Sequence, residues 1–214
     1  TLMGNGNYEE THERILKSGL EAFLREGYEK ANLRRICKAA GVTTGAFYKH
    51  FKDKEALFSE LVEPLASTIR TFYAQGEERG FAEYEDGRPV TQKQVLESLE
   101  LKARGTLETT VYLYSRRDLY ELLVFRSYGT PYEGFLEELV AEEDRTTFRM
   151  LELIHGAEKA RSVISKEALH TMNHAFYSAL SETIVHAESE EELRATTEVI
   201  STFFNAGWER YRMP

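Results

Sequence analysis

Between Lys30 and Lys54 stand seven Lys or Arg residues and one acid, Asp53. Hydroxyl and aromatic side chains are interleaved with them at Thr43, Thr44, Tyr48 and His50. Cations at this density attract phosphate, and a free helix N-terminus adds N–H donors that bind the same group. Tyr48, Lys49, His50 and Lys54 therefore read as phosphate clamps, and Thr43 as a hydroxyl contact at a helix start. The whole chain carries −9, so the stretch, at +6, leaves −15 on the remainder. The alternative for the basic stretch is an ordinary solvated helix face, and for Tyr48 a packing aromatic. Phe47 and Phe51 read as packing residues. Elsewhere, His170 and His174 stand at i, i+4, the spacing of a metal-ligand pair, but no third ligand is indicated and a polar helix face or interface is the preferred reading. Cys37 could sense redox state, yet its place on an apolar stripe favours packing. No Gly-rich phosphate loop, nucleophile elbow or zinc motif is present, so no enzyme activity, cofactor or metal is expected.

The elements that must position the basic groups follow from local pattern. Leu33, Ile36, Cys37 and Ala40 repeat at helical spacing and define one buried face. Asn32 precedes them as an N-cap, and Gly41 follows where a left-handed C-cap costs least. Val42 is a core contact in the turn. Thr43 then caps a second helix of about two turns, from Thr44 to His50 or Phe51. Two short helices joined by a Gly-containing turn form a helix-turn-helix, whose second helix enters the DNA major groove in its DNA-binding versions.

The run G-V-T-T-G-A-F-Y-K-H-F-K-D-K-E-A-L resembles the signature of the TetR family of one-component transcriptional regulators. The preceding I-L-K-S-G-L-E-A-F-L-R-E-G-Y-E-K-A-N-L-R-R-I-C-K-A-A is similar to the rest of that family's N-terminal domain. The resemblance spans about 50 residues, Ile15 to Leu65. It departs at Cys37, where the family more often has Ala, and at Ala46-Phe47, where Thr followed by an aliphatic residue is common. The resemblance implies that Thr44, Gly45, Ala46 and Tyr48 face base edges, with Arg34 reaching a base as well. An Arg can bond guanine O6 and N7 together, a Thr hydroxyl suits several bases, and an Ala methyl can touch a thymine methyl.

The rest of the chain reads as all-α, about nine helices in total. Helix 1 is expected from Tyr8 to Glu26, after a frayed Thr1–Asn7 with no signal-like apolar core. Gly19 inside it implies close approach of another helix. A fourth helix, capped by Asp53, carries apolar residues to Phe72, with Pro64 as a kink or break. Gly76 to Thr91 reads as a mobile loop. Thr91 caps helix 5, and Asp118 opens helix 6. Thr130 and Pro131 are expected to start helix 7. Ser165 starts helix 8, and Ser189–Glu192 is a capping box for helix 9. No run of about 18 apolar residues exists, so no membrane span is expected. One Cys suits a reducing cytoplasm.

Two domains are expected: residues 1–54 for DNA binding, and 55–214 for effector binding and dimerisation. The last two helices carry apolar stripes that include Leu169, Phe176, Ile200, Phe204 and Trp208. The resemblance implies a homodimer through them; the alternative is that they only close the protomer core. Tyr112, Phe125, Tyr128 and Phe148 are candidate walls for an unknown small-molecule effector. The expected function is a repressor on a palindromic double-stranded operator. The alternative is a DNA-binding regulator whose C-terminal domain binds a partner protein.

Overall fold

The computed structural model describes residues 3–81, 84 and 88–214. Within them the chain forms ten α-helices and no strand. These are α1 (Met3–Lys30), α2 (Leu33–Ala39), α3 (Thr44–Phe47), α4 (Lys54–Phe81), α5 (Gln92–Tyr114), α6 (Arg117–Phe125), α7 (Phe135–His155), α8 (Ala157–Val163), α9 (Lys166–His186) and α10 (Glu190–Arg212). They pack as two compact units. One comprises residues 1–69 and 118–134, the other residues 70–117 and 135–214. Packing thus divides the chain inside α4, and assigns α6 and the turn after it to the first unit.

In the first unit, Ile15, Phe23, Phe47, Leu57, Phe58, Leu122 and Leu123 are fully buried. Phe23 and Tyr28 both meet the Phe58 ring edge-on, with centroids 5.2 and 5.3 Å away. Gly19 is required by α4: a Cβ there would stand 2.8 Å from Leu57 Cδ2. Gly27, at φ 75°, breaks α1 three residues before its end. The freed Tyr28 N–H donates to Arg126 O at 2.9 Å, which ties the break to the end of α6. Helix α7 starts at Phe135, not Pro131. The intervening residues close a turn in which Thr130 Oγ1 donates to Ser127 O at 2.7 Å and Ser127 Oγ donates to Tyr132 O at 3.2 Å. Tyr132 is buried there and donates its hydroxyl to Glu63 at 2.6 Å.

In the second unit α10 lies on α5, and α9 on α7. Leu99, Met150, Leu169 and Trp208 share one buried apolar cluster; Val140, Phe176, Tyr177 and Leu180 form another. Thr91 and Gln94 make a reciprocal capping box at the start of α5. At α10 the box is offset. Ser189 Oγ accepts from Glu192 N at 3.1 Å, while the Glu192 carboxylate reaches past it to Glu188 N at 2.9 Å.

Three expectations are corrected. Helix α4 runs on to Phe81, beyond the expected loop start at Gly76; of that loop, residues 82, 83 and 85–87 lie outside the described set, while Tyr84 and Val90 are buried. The break expected at Pro64 is absent, because α4 runs continuously through it. Helix α1 begins at Met3, so of the expected frayed terminus only Thr1 and Leu2 lie outside the described set.

Candidate nucleic-acid interface

Asn32 caps α2 by accepting from the backbone N–H of Arg34 at 3.0 Å and of Arg35 at 3.2 Å. Gly41 turns the chain at φ 68°, and Val42 N–H closes the turn on Cys37 O at 2.9 Å. Thr43 caps α3, its Oγ1 accepting from Ala46 N–H at 3.1 Å. Regular helix covers only Thr44–Phe47, but His50 and Phe51 N–H still bond Phe47 O at 2.8 and 3.0 Å, carrying the turn to Phe51. Phe47 and Phe51 are buried and stacked 5.5 Å apart, as their packing role requires. With that underside fixed, Arg34, Thr43, Gly45, Tyr48 and Lys49 are exposed, and Thr44, Ala46 and His50 are half-buried. Tyr48 is 55% exposed, too open for a packing aromatic.

Lys54 is otherwise engaged. Its Nζ donates to the carbonyls of Tyr28 at 2.7 Å, Glu29 at 3.3 Å and Ala31 at 3.1 Å. It also stands 4.2 Å over the Tyr28 ring. The Gly27 break leaves these carbonyls without helical partners, and a cation satisfies them. The expected phosphate clamp is thus a brace between the start of α4 and the end of α1. Arg35 stays exposed but pairs with Glu26 at 2.5 Å.

His50 is half of an arrangement that the local pattern did not disclose. Tyr8 of α1 stacks on its ring at 4.1 Å and donates its hydroxyl to Lys49 O at 3.3 Å. His12, one turn further along α1, lies 5.5 Å from His50, stacks on Phe51 at 4.7 Å and contacts Glu60 at 2.5 Å. The Nδ1 atoms of His12 and His50 are buried without a partner among the described residues. Burial, with the neighbouring His12 and Lys49, holds the His50 pKa below the ordinary histidine value. The only local signal was the i, i+4 spacing of Tyr8 and His12.

Other candidate residues disperse. Tyr112 and Phe148 belong to the second unit, Phe125 and Tyr128 to the first. Tyr112 meets Phe72 edge-on at 5.2 Å and carries the Arg116 guanidinium 4.0 Å above its face. Phe148 packs against the cluster that contains Phe81 and Trp208. Phe125 and Tyr128 are exposed beside a surface recess of about 230 Å³ shared with Glu26–Lys30. His170 and His174 join α9 to α7 through Asp144 at 2.8 Å and Glu137 at 3.0 Å. Cys37 is buried, and burial pushes its thiol pKa up.

Of the expected interface residues, Leu169 and Trp208 are corrected to core. They are 2% and 6% exposed and share a cluster with Leu99 and Met150. Phe176 is also buried, edge-on to Phe204 at 5.2 Å; Ile200 and Phe204 are half-buried against the same cluster. The helical period that places these side chains inward turns others outward. Val199 is 69% exposed and Phe203 75%, followed at the same spacing by Gly207.

Comparison with known proteins agrees with the helix-turn-helix. Residues 15–61 match the bacterial regulatory proteins of the tetR family. The HTH-type transcriptional regulator AcrR of Shigella flexneri is 39% identical over 115 residues, 54% of this chain and 48% of that protein. The chain spans about half or less of the length of the curated relatives that it matches. Two solved structures share the fold. NalD, the secondary repressor of the MexAB-OprM multidrug efflux pump in Pseudomonas aeruginosa, aligns with TM-score 0.52 at 20% identity, covering 93% of this chain and 97% of that one. The fatty acid degradation regulator FadR of Bacillus halodurans aligns with TM-score 0.51 at 16% identity, covering 91% and 98%. The matched segment holds the Asn32-capped first helix, the Gly41 turn and the Thr43-capped second helix, and it is this segment, residues 15–61, that the chain shares with the tetR family.

Proposed function

We propose that this chain is a transcriptional regulator that binds a palindromic DNA operator as a homodimer and is released from it by a small-molecule effector. The observation that carries the reading is the exposed face of Arg34, Thr43, Gly45, Tyr48 and Lys49 above a rigid Phe47–Phe51 floor. Lys49, Tyr48 and Thr43 hold phosphates, while Arg34, Thr44, Gly45 and Ala46 meet base edges. His50 adds a phosphate contact, oriented by Tyr8. The functional division at residue 54 assigns α1 to α3 to DNA and the remainder to assembly and control. Val199 and Phe203 join Phe204 and Ile200 in the subunit contact, because an exposed apolar strip of this kind marks an association surface.

The effector reading draws on Tyr112 and Phe148 of the second unit. Selection of bound duplexes from a random pool tests the DNA reading. Two-fold symmetric half-sites one helical turn apart are expected, with affinity falling steeply as salt rises. Bound sequences without symmetry or preference would overturn it.

A further inference from the structure

Glu60, His12 and His50 follow one another in the first unit, from α4 through α1 to the turn that ends α3. His12 Nε2 lies 2.5 Å from a Glu60 carboxylate oxygen. At that distance the nitrogen carries the hydrogen, so in the neutral ring His12 Nδ1 is a bare acceptor. That Nδ1 is buried, and the His12 ring lies 5.5 Å from the His50 ring, centroid to centroid. Tyr8 stacks on His50 at 4.1 Å and fixes the ring in place.

His50 Nδ1 is buried too, while the residue as a whole is half-buried. A phosphate can therefore reach the ring only at Nε2, which must carry a hydrogen to donate. A further proton can then enter only at Nδ1, away from solvent, where a charge without an acceptor is costly. The neighbouring His12 ring supplies an acceptor, its own hydrogen being held by Glu60.

Without DNA the arrangement keeps His50 neutral. Burial, then the adjacent His12 and Lys49, hold its pKa below the ordinary value of 6.5. A duplex reverses that balance. Its phosphates neutralise Lys49 and set an anion against His50 Nε2, and a close anion favours the charged ring. The titratable and charged groups around His50 are Tyr8 and His12 of α1, Lys49 beside it and, through His12, Glu60 of α4.

We propose that the His12–His50 pair takes up one proton when the operator binds, held between the two Nδ1 atoms with Glu60 at one end and a DNA phosphate at the other, so that operator affinity rises as pH falls. This rests on the reading of His50 as a phosphate contact and adds the charge state of that contact. The sign follows from linkage: the free ring loses its proton at a lower pH than the bound ring, and binding takes up a proton between the two.

The full chain is titrated by calorimetry at pH 6.5 with a duplex recovered by the selection above, in two buffers of different ionisation heat. The difference in heat counts the protons, and about half to one is expected. In fluorescence anisotropy the affinity should rise about threefold or more from pH 7.5 to 6.0, and no faster than about tenfold per pH unit, the limit for one proton. His50→Gln keeps a donor but no titrating ring, so uptake and pH dependence should both vanish. His12→Phe keeps a ring against Phe51 and removes the acceptor, so uptake should fall by about half or more. Circular dichroism checks each fold. If a variant does not fold, imidazole resonances of the wild type carry the test: two of the six histidines should titrate at higher pH with duplex than without. Equal heats in both buffers, or a pH dependence that survives in His50→Gln, overturns the proposal and leaves the DNA reading intact. Full uptake in His12→Phe overturns the shared proton. No binding to any duplex between pH 5.5 and 8 overturns the DNA reading and the proposal with it.

Discussion

Lys49 and Lys54 carry the same charge five residues apart, yet one is open to solvent and the other is spent on three backbone carbonyls. Lys49→Ala should weaken binding to all duplexes alike and lower the slope of log affinity against log salt by about 1, measured by fluorescence anisotropy. Arg34→Ala should instead lose about 1–3 kcal/mol of discrimination at one base pair. Lys54→Met should leave the salt slope unchanged and lower the unfolding free energy by roughly 1–3 kcal/mol, the cost of unpaired carbonyls; a changed slope with unchanged melting would restore it as a phosphate clamp. His50 adds a pH dependence. Because burial favours its neutral form, the unfolded chain takes up the proton first as pH falls below the ordinary value of 6.5. The stability that neutral His50 contributes is whole above that pH and lost below it, so thermal melts from pH 8 to 5.5 should fall less for His50→Gln than for the wild type. Sequence alone could not separate the two lysines, because the difference originates at Gly27. Nor could it pair Tyr8 with Lys49, 41 residues away.

Elements were legible where a cap and a periodic stripe coincide, as at Asn32 and Leu33–Ala40, Thr91 and α5, or Ser165 and α9. They were misread where local chemistry competes. Thr130 and Pro131 look like a helix start, but the Thr130 hydroxyl turns back to Ser127 and buried Tyr132 holds the chain in a turn. Helix α8 has only seven residues and no apolar stripe, so no period announces it. Periodicity on α9 and α10 located the apolar stripes but not which side faces inward. Two substitutions separate the faces. Trp208→Ala should cost about 3–5 kcal/mol of protomer stability. Phe203→Asp should leave melting of the isolated protomer nearly unchanged and abolish dimerisation, seen by light scattering. A dimeric Phe203→Asp variant would move the contact elsewhere. Gly19→Ala gains about 1 kcal/mol of helix propensity but must displace fully buried Leu57, so a net loss of roughly 1–2 kcal/mol is expected from chemical denaturation.

At the scale of the molecule the all-helical class followed from long helical periods and only four prolines. The compact units did not, because α4 belongs to both and its apolar pattern does not change at Ile69. If an effector loosens DNA, linkage requires the operator to loosen the effector equally. A coupling of about 1–3 kcal/mol, roughly 5- to 150-fold, would be ordinary, and titrating ligand with and without saturating operator measures it. The helix-turn-helix carries one further consequence through Cys37. It is the only thiol in the chain, 2% exposed, on the inner face of α2. A thiol reagent cannot reach it until the segment comes loose, so the alkylation rate of the native protein counts local openings of the DNA-reading region. Operator binding should slow that clock in proportion to occupancy.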